Sequence, residues 1–143
     1  MTYFRIGLGL FLAAFLVFMG AQKFGADNPV FSYIAATSGI GLFEPVIRLA
    51  VGVGEVLAAI LILAGLFIAR LRGLGAVMAA GLTGGALAFH LSPWLGINAP
   101  VAFTAAGGYV FSPMLFAMAL PFFLVSLVLV WLDRDALRKL AGR

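Results

Sequence analysis

Residues 73–132 read GLGAVMAAGLTGGALAFHLSPWLGINAPVAFTAAGGYVFSPMLFAMALPFFLVSLVLVWL, and this stretch decides the fold. Across its 60 residues the only ionisable side chains are His90 and Tyr109. A helix that crosses a membrane needs about 20 apolar residues, so the stretch holds two spans or three. Its middle gives the number. Ser92-Pro93-Trp94 is followed by Asn98, Pro100 and Gly107-Gly108, residues that break helices and mark turns. The reading is a helix over 73–91, an apolar loop, and a helix over 113–132 that ends at Trp131 and should kink at Pro121.

Toward the N-terminus the same criterion finds two more spans. One covers 6–22, between Arg5 and Lys23; the other covers 47–69 and contains Arg48 and Glu55. The first is near the short limit, so Arg5 and Lys23 should snorkel to the interfaces. It is a poor signal peptide, because Met19-Gly20-Ala21 makes a poor cleavage site. Only Arg70–Arg72 separates the second span from the third, which predicts a tight antiparallel pair.

Composition points the same way. The chain has 143 residues, 64% hydrophobic and 10% charged, with a mean hydropathy of +1.19. Soluble domains are about 45–50% apolar and about 25% charged. This excludes a soluble globular protein, a disordered chain and a nucleic-acid-binding domain. The net charge of +4 does not suggest nucleic acid either, because the basic residues lie at chain ends and loops. With no cysteine, thiol redox centres, cysteine-held zinc and cysteine-held iron–sulfur clusters are excluded.

The fold class expected is therefore all-α, an integral membrane four-helix bundle. Four crossings place both termini and the Arg70–Arg72 turn on one side, with seven basic residues: Arg5, Arg70, Arg72, Arg134, Arg138, Lys139 and Arg143. Lys23 and Arg48 are left on the other, so the orientation expected is N-in and C-in. Residues 1–132 form the transmembrane domain and 133–143 a basic, helical cytoplasmic tail, suited to anionic headgroups or a partner. The outer segments Phe24–Pro45 and Ser92–Ser112 are too apolar for water-facing loops. They should cap the bundle or lie in the interface, with a short helix over Pro29–Thr37 started by Asn28-Pro29. Small residues mark packing faces: Gly9, Ala13 and Gly20 on the first helix, and Gly81 with Gly85 on the third, beside a stripe of Ala76, Ala79, Thr83 and Ala86.

A charge inside lipid costs about 2.5–3.5 kcal/mol on insertion scales, so each one there needs a partner or a cavity. Arg48 and Glu55 are seven residues apart and share a helix face, with Gly52 between them leaving room for another group. At about 1.5 Å per residue, Glu55 lies about 22 Å above Arg70 and His90 about 27 Å above Arg72. Lys23 ends the first helix at the same level. Lys23, Arg48, Glu55 and His90 are thus candidates for one convergent site, with Glu55 and His90 as proton-handling groups and Lys23 and Arg48 as ligand-binding ones. The plainer readings stay open: Lys23 and Arg48 as interfacial anchors, Arg48 as a structural partner of Glu55, His90 as a satisfied interfacial side chain. No metal site is expected, since Glu55 and His90 would need Asp27 or Glu44 as a third ligand. Haem would have a single histidine, and no phosphate loop or dinucleotide fingerprint is present.

These residues resemble a family. The arginine that opens the first helix, the Gly20…Lys23-Phe24 ending, the Gly52-Val-Gly-Glu55-Val-Leu segment, the leucine-rich run Leu61–Arg72 and the Ala/Gly-rich third helix ending near His90 look like a DoxX/DoxD-like small membrane protein. The likeness covers roughly Tyr3–Leu132, and Lys23, Glu55 and His90 fall at its family-like positions. It implies a four-helix membrane bundle in a plasma membrane, the bacterial inner membrane, and an association with membrane oxidoreductase complexes, some of which use quinone. Three functions follow as alternatives. The first is an oxidoreductase subunit that binds a quinone-like ligand near Glu55 and His90. The second is a small proton-linked carrier, and the third a non-catalytic membrane anchor or partner subunit. The partners expected are the lipid bilayer, oxidoreductase subunits or a second copy of the chain, and no nucleic acid.

Overall fold

The structure, a computed structural model, describes residues 2–140 and 142. Arg143, counted above with the basic tail, lies outside the described residues. Long apolar runs form the main helices and carry their internal glycines, and Pro121, within the helical spans: α1 (Thr2–Ala21), α3 (Val46–Ala64), α4 (Ala69–His90) and α5 (Met114–Leu132), with a shorter α2 (Pro29–Ser38) between the first two. The four long helices, with the turns that extend them, are long and apolar enough to cross a membrane. The architecture is that of a multi-pass membrane protein.

Packing follows chain order, α1 on α3, α3 on α4 and α4 on α5, and contacts between α1 and α5 close the ring. Leu12, Leu16, Ala58, Ile62, Ala79 and Leu129 fill the core. Phe15 and Phe122 stack across the α1–α5 seam with ring centroids 3.4 Å apart. Small residues allow the closest approaches. A methyl group on Gly75 of α4 would stand 2.7 Å from the Ala58 carbonyl of α3, so only glycine fits there.

Helix α2 and the segment between α4 and α5 form a cap on the bundle. The Asn28 side chain accepts hydrogen bonds from the Val30 and Phe31 amides and Pro29 takes the first helical position, which starts α2; Gly39, at φ 72°, ends it. Within the segment read as an apolar loop, β1 (Ala99–Phe103) pairs antiparallel with β2 (Tyr109–Ser112). This hairpin was not expected. The signal for it is a turn at Gly107-Gly108, with φ 81° at Gly107, flanked by aromatic and β-branched residues. The cap has its own core of Ile34, Phe43, Leu95 and Ala99, and Tyr33 of α2 meets Tyr109 and Phe111 of β2 edge to face.

Element boundaries differ from the sequence reading at two points. Helix α1 begins at Thr2, so Arg5 lies within it rather than before it. The turn between α3 and α4 is 65–68, and Arg70 and Arg72 belong to α4. Arginine marked the turn in the sequence, but Arg72 is buried and enters the helix because Asp133 meets its guanidinium. Pro121 lies inside α5, a single helix as read. A last helix, α6 (Arg134–Leu140), follows α5 directly and rests on α4, Leu137 against Gly73.

Candidate functional site

Two glycines create the site. Helices α1 and α3 cross where Gly20 faces Gly52: a methyl group on Gly20 would stand 3.1 Å from the Gly52 carbonyl, and one on Gly52 would stand 2.9 Å from the Lys23 Cβ. The room left by Gly52 is taken by Lys23. Its ammonium group donates to both carboxylate oxygens of Glu55, at 2.9 and 2.7 Å, and to the Met19 carbonyl at 3.1 Å. An ammonium has three hydrogens, so all are engaged. Both side chains are buried, and the carboxylate's charge is matched where it sits.

Arg48 does not join them. Its Nε donates to Glu44 at 2.6 Å, and its terminal nitrogens donate to the carbonyls of Lys23, Gly25 and Ala26. The guanidinium closes the carbonyl end of the Gln22–Phe24 turn and holds it against α3. Sharing a helix face with Glu55 brought Arg48 no closer, because the nearer acid, one turn away at Glu44, and three free carbonyls engage it. Glu44, a conditional metal ligand in the sequence reading, is thereby committed to Arg48. Among the described residues, no three His, Asp or Glu side chains gather to hold a metal ion.

His90 stands at the end of α4. Its Nδ1 lies 2.9 Å from the Gly96 carbonyl. A carbonyl only accepts, so Nδ1 carries the hydrogen of that bond. Gly96 has φ 79°, a conformation suited to glycine, and this turn aims its carbonyl at the ring. Phe116 of α5 packs edge to face on the imidazole.

Between the bundle and the cap lies a cavity of about 360 Å³. Lys23, Glu55 and His90 are all on its wall, and Arg48 is not. Glu55 and His90 share the space without a hydrogen bond to each other. The remaining lining is largely apolar, including Phe15, Phe31, Phe89 and Leu115. Gly81 and Gly85, expected to pack helix on helix, instead face this space. A methyl group on either would meet nothing within 4 Å. Thr83, between them, donates its hydroxyl hydrogen to the Ala79 carbonyl at 2.7 Å and also lines the cavity. The small residues of α4 therefore do two things: Ala76 and Ala79 are buried in the core, while Gly81 and Gly85 keep the cavity open.

A second buried polar cluster, at the opposite end of α4, was not foreseen. Arg72 donates from Nε and Nη2 to the two oxygens of Asp133, both at 2.7 Å, and Arg5 approaches the same carboxylate at 3.8 Å. The sequence reading placed Asp133 in the charged cytoplasmic tail and Arg72 in the inner loop. The one available signal was an acid at the end of an otherwise uncharged span. No family model, no curated protein and no solved structure matches the chain.

Proposed function

We propose that this chain is a DoxX-like subunit of a membrane oxidoreductase complex and that it holds a quinone-like ligand in the cavity beside Glu55 and His90. The observation that carries this reading is the cavity itself: largely apolar walls, interrupted by a few buried polar groups. Its volume, about 360 Å³, lies within the roughly 300–1,000 Å³ range of small-molecule sites. Such a space suits a substituted aromatic ring, with apolar walls for the ring and polar groups for its oxygens. The seven-to-two bias of basic residues supports an orientation with both termini cytoplasmic and the cavity toward the far side of a plasma membrane.

A quinone would supply two-electron chemistry whose protons enter and leave at its ring oxygens. The chain's own residues would handle those protons. His90, oriented by Gly96, takes or returns a proton at Nε2. Glu55 keeps oxygens on the cavity wall while Lys23 holds it in place. Electrons would pass to or from a redox centre on a partner subunit.

The test is the quinone content of protein purified from membranes. Wild type should retain quinone, and Gly85→Leu, which has open space for its side chain and fills the cavity, should lose it while staying folded. Equal quinone in both would end the reading. A proton-linked carrier is the second reading, favoured by the Glu55 carboxylate on the cavity wall. It requires proton or solute flux in proteoliposomes that Glu55→Gln abolishes.

A further inference from the structure

The hydrogen-bonding state of the buried groups on the cavity wall says which form of ligand they suit. Four such side chains are polar: Lys23, Glu55, Thr83 and His90. Lys23 gives its three hydrogens to Glu55 and Met19. Thr83 gives its one hydrogen to Ala79. His90 gives the hydrogen on Nδ1 to Gly96. None retains a hydrogen to offer a guest while the imidazole is neutral.

What they retain is acceptor capacity. The carboxylate of Glu55 has lone pairs beyond those Lys23 uses, the Thr83 oxygen has both of its own, and Nε2 of neutral His90 has one. Nε2 has no hydrogen-bond partner among the described residues, and it is not among the side-chain atoms sealed from solvent without one. The amide side chains on the lining, which could donate, belong to Gln22 and Asn28; Gln22 is exposed and Asn28 half-buried. A guest whose oxygens only accept would leave these acceptors unmatched in an apolar space, and unmatched buried polar groups weaken binding. Because Lys23 already balances Glu55, the site has no surplus charge to attract a cation.

We infer that the cavity selects a neutral, lipophilic molecule that donates hydroxyl hydrogens, a hydroquinone or phenol, with His90 Nε2 as the principal acceptor, and that it discriminates against the oxidised quinone of the same shape. The inference rests on the ligand reading above and sharpens it: the resting site is built for the reduced partner of the couple.

The experiment is calorimetric titration of the purified protein, without oxygen, using a decylated para-benzoquinone, its hydroquinone, and the dimethyl ether of that hydroquinone. The hydroquinone should bind roughly tenfold more tightly than the quinone, the change that about one net hydrogen bond supplies. That ratio raises the potential of the bound two-electron couple by about 30 mV, measurable by redox titration. The dimethyl ether keeps the ring and removes both hydrogens, so it should bind as weakly as the quinone. His90→Phe should bring hydroquinone affinity down to quinone affinity and leave the quinone's nearly unchanged. Equal or tighter binding of the quinone, or tight binding of the ether, overturns the donor assignment and leaves the ligand reading standing. Absence of binding by all three overturns both. The ether comparison needs no substitution, so it decides the matter even if His90→Phe fails to fold.

Discussion

Arg72 and Asp133 face each other as fork and carboxylate, Nε to Oδ2 and Nη2 to Oδ1, both at 2.7 Å, with the Asp133 side chain 1% exposed. This geometry ties the start of α4 to the end of α5 across 61 residues of sequence. A lysine cannot reproduce the planar fork, so Arg72→Lys should destabilise the protein although charge is kept. Removing one partner outright, as in Asp133→Ala, leaves the other charge buried and should cost about 3–5 kcal/mol. Truncation separates the pair from the tail. Chains ending at Asp133 and at Leu132 both lose α6, but only the second loses the carboxylate. The chain ending at Leu132 should unfold at the lower temperature in detergent; equal midpoints would show that the pair holds nothing.

The Lys23–Glu55 pair should be strongly coupled. Lys23→Met alone leaves a carboxylate without its counter-charge, and Glu55→Leu alone leaves an ammonium without one, so each should destabilise by about 3–5 kcal/mol. The double variant removes both charges and should recover most of that loss. Thermal unfolding of the two single variants and the double variant gives the coupling directly. If the single effects simply add, the bond contributes no net stability.

Glycines on α4 should divide into two classes. Gly81→Ala and Gly85→Ala place a methyl group in open space and remove backbone entropy, so each should stabilise by about 0.5–1 kcal/mol. Gly75→Ala drives a methyl group to 2.7 Å from the Ala58 carbonyl and should destabilise by about 1–3 kcal/mol. A uniform response across the three would contradict the assignment of Gly81 and Gly85 to the cavity wall.

The spans and the polar residues among them were legible in the sequence for a simple reason: lipid tolerates few charges, so Glu55 and His90 stand out by their surroundings. Their partners were not legible. Whether Lys23 or Arg48 meets Glu55 depends on where α1 crosses α3, and Gly20 and Gly52 set that crossing through backbone contact. Sequence spacing orders residues along one helix and is silent about the angle between two. The same gap explains Gly81 and Gly85, which read as a packing motif because a small residue leaves room without saying what occupies it. The Arg72–Asp133 pair was hidden by the converse effect, since a charge near a span end reads as solvated until its partner is seen.

The cap supplies a reporter for ligand entry. The chain has two tryptophans. Trp94 packs on Phe89, a cavity-wall residue, with ring centroids 6.2 Å apart, and its carbonyl accepts a hydrogen bond from Thr37 of α2 at 2.7 Å. Trp131 lies at the other end of α5 beneath Arg134, whose guanidinium carbon is 4.5 Å from the ring centroid. A quinone quenches indole emission at short range. In Trp131→Phe, emission comes from Trp94 alone and should fall saturably as the decylated benzoquinone fills the cavity, with a midpoint equal to the calorimetric Kd. In Trp94→Phe, the remaining Trp131 emission should fall only in proportion to quinone dissolved in the detergent, without saturation. Gly85→Leu, combined with Trp131→Phe, should convert the saturable response to the proportional one, because it removes the space while leaving Trp94 in place. Saturable quenching that persists in Trp94→Phe would put the ligand near the Arg72–Asp133 end and away from the cap.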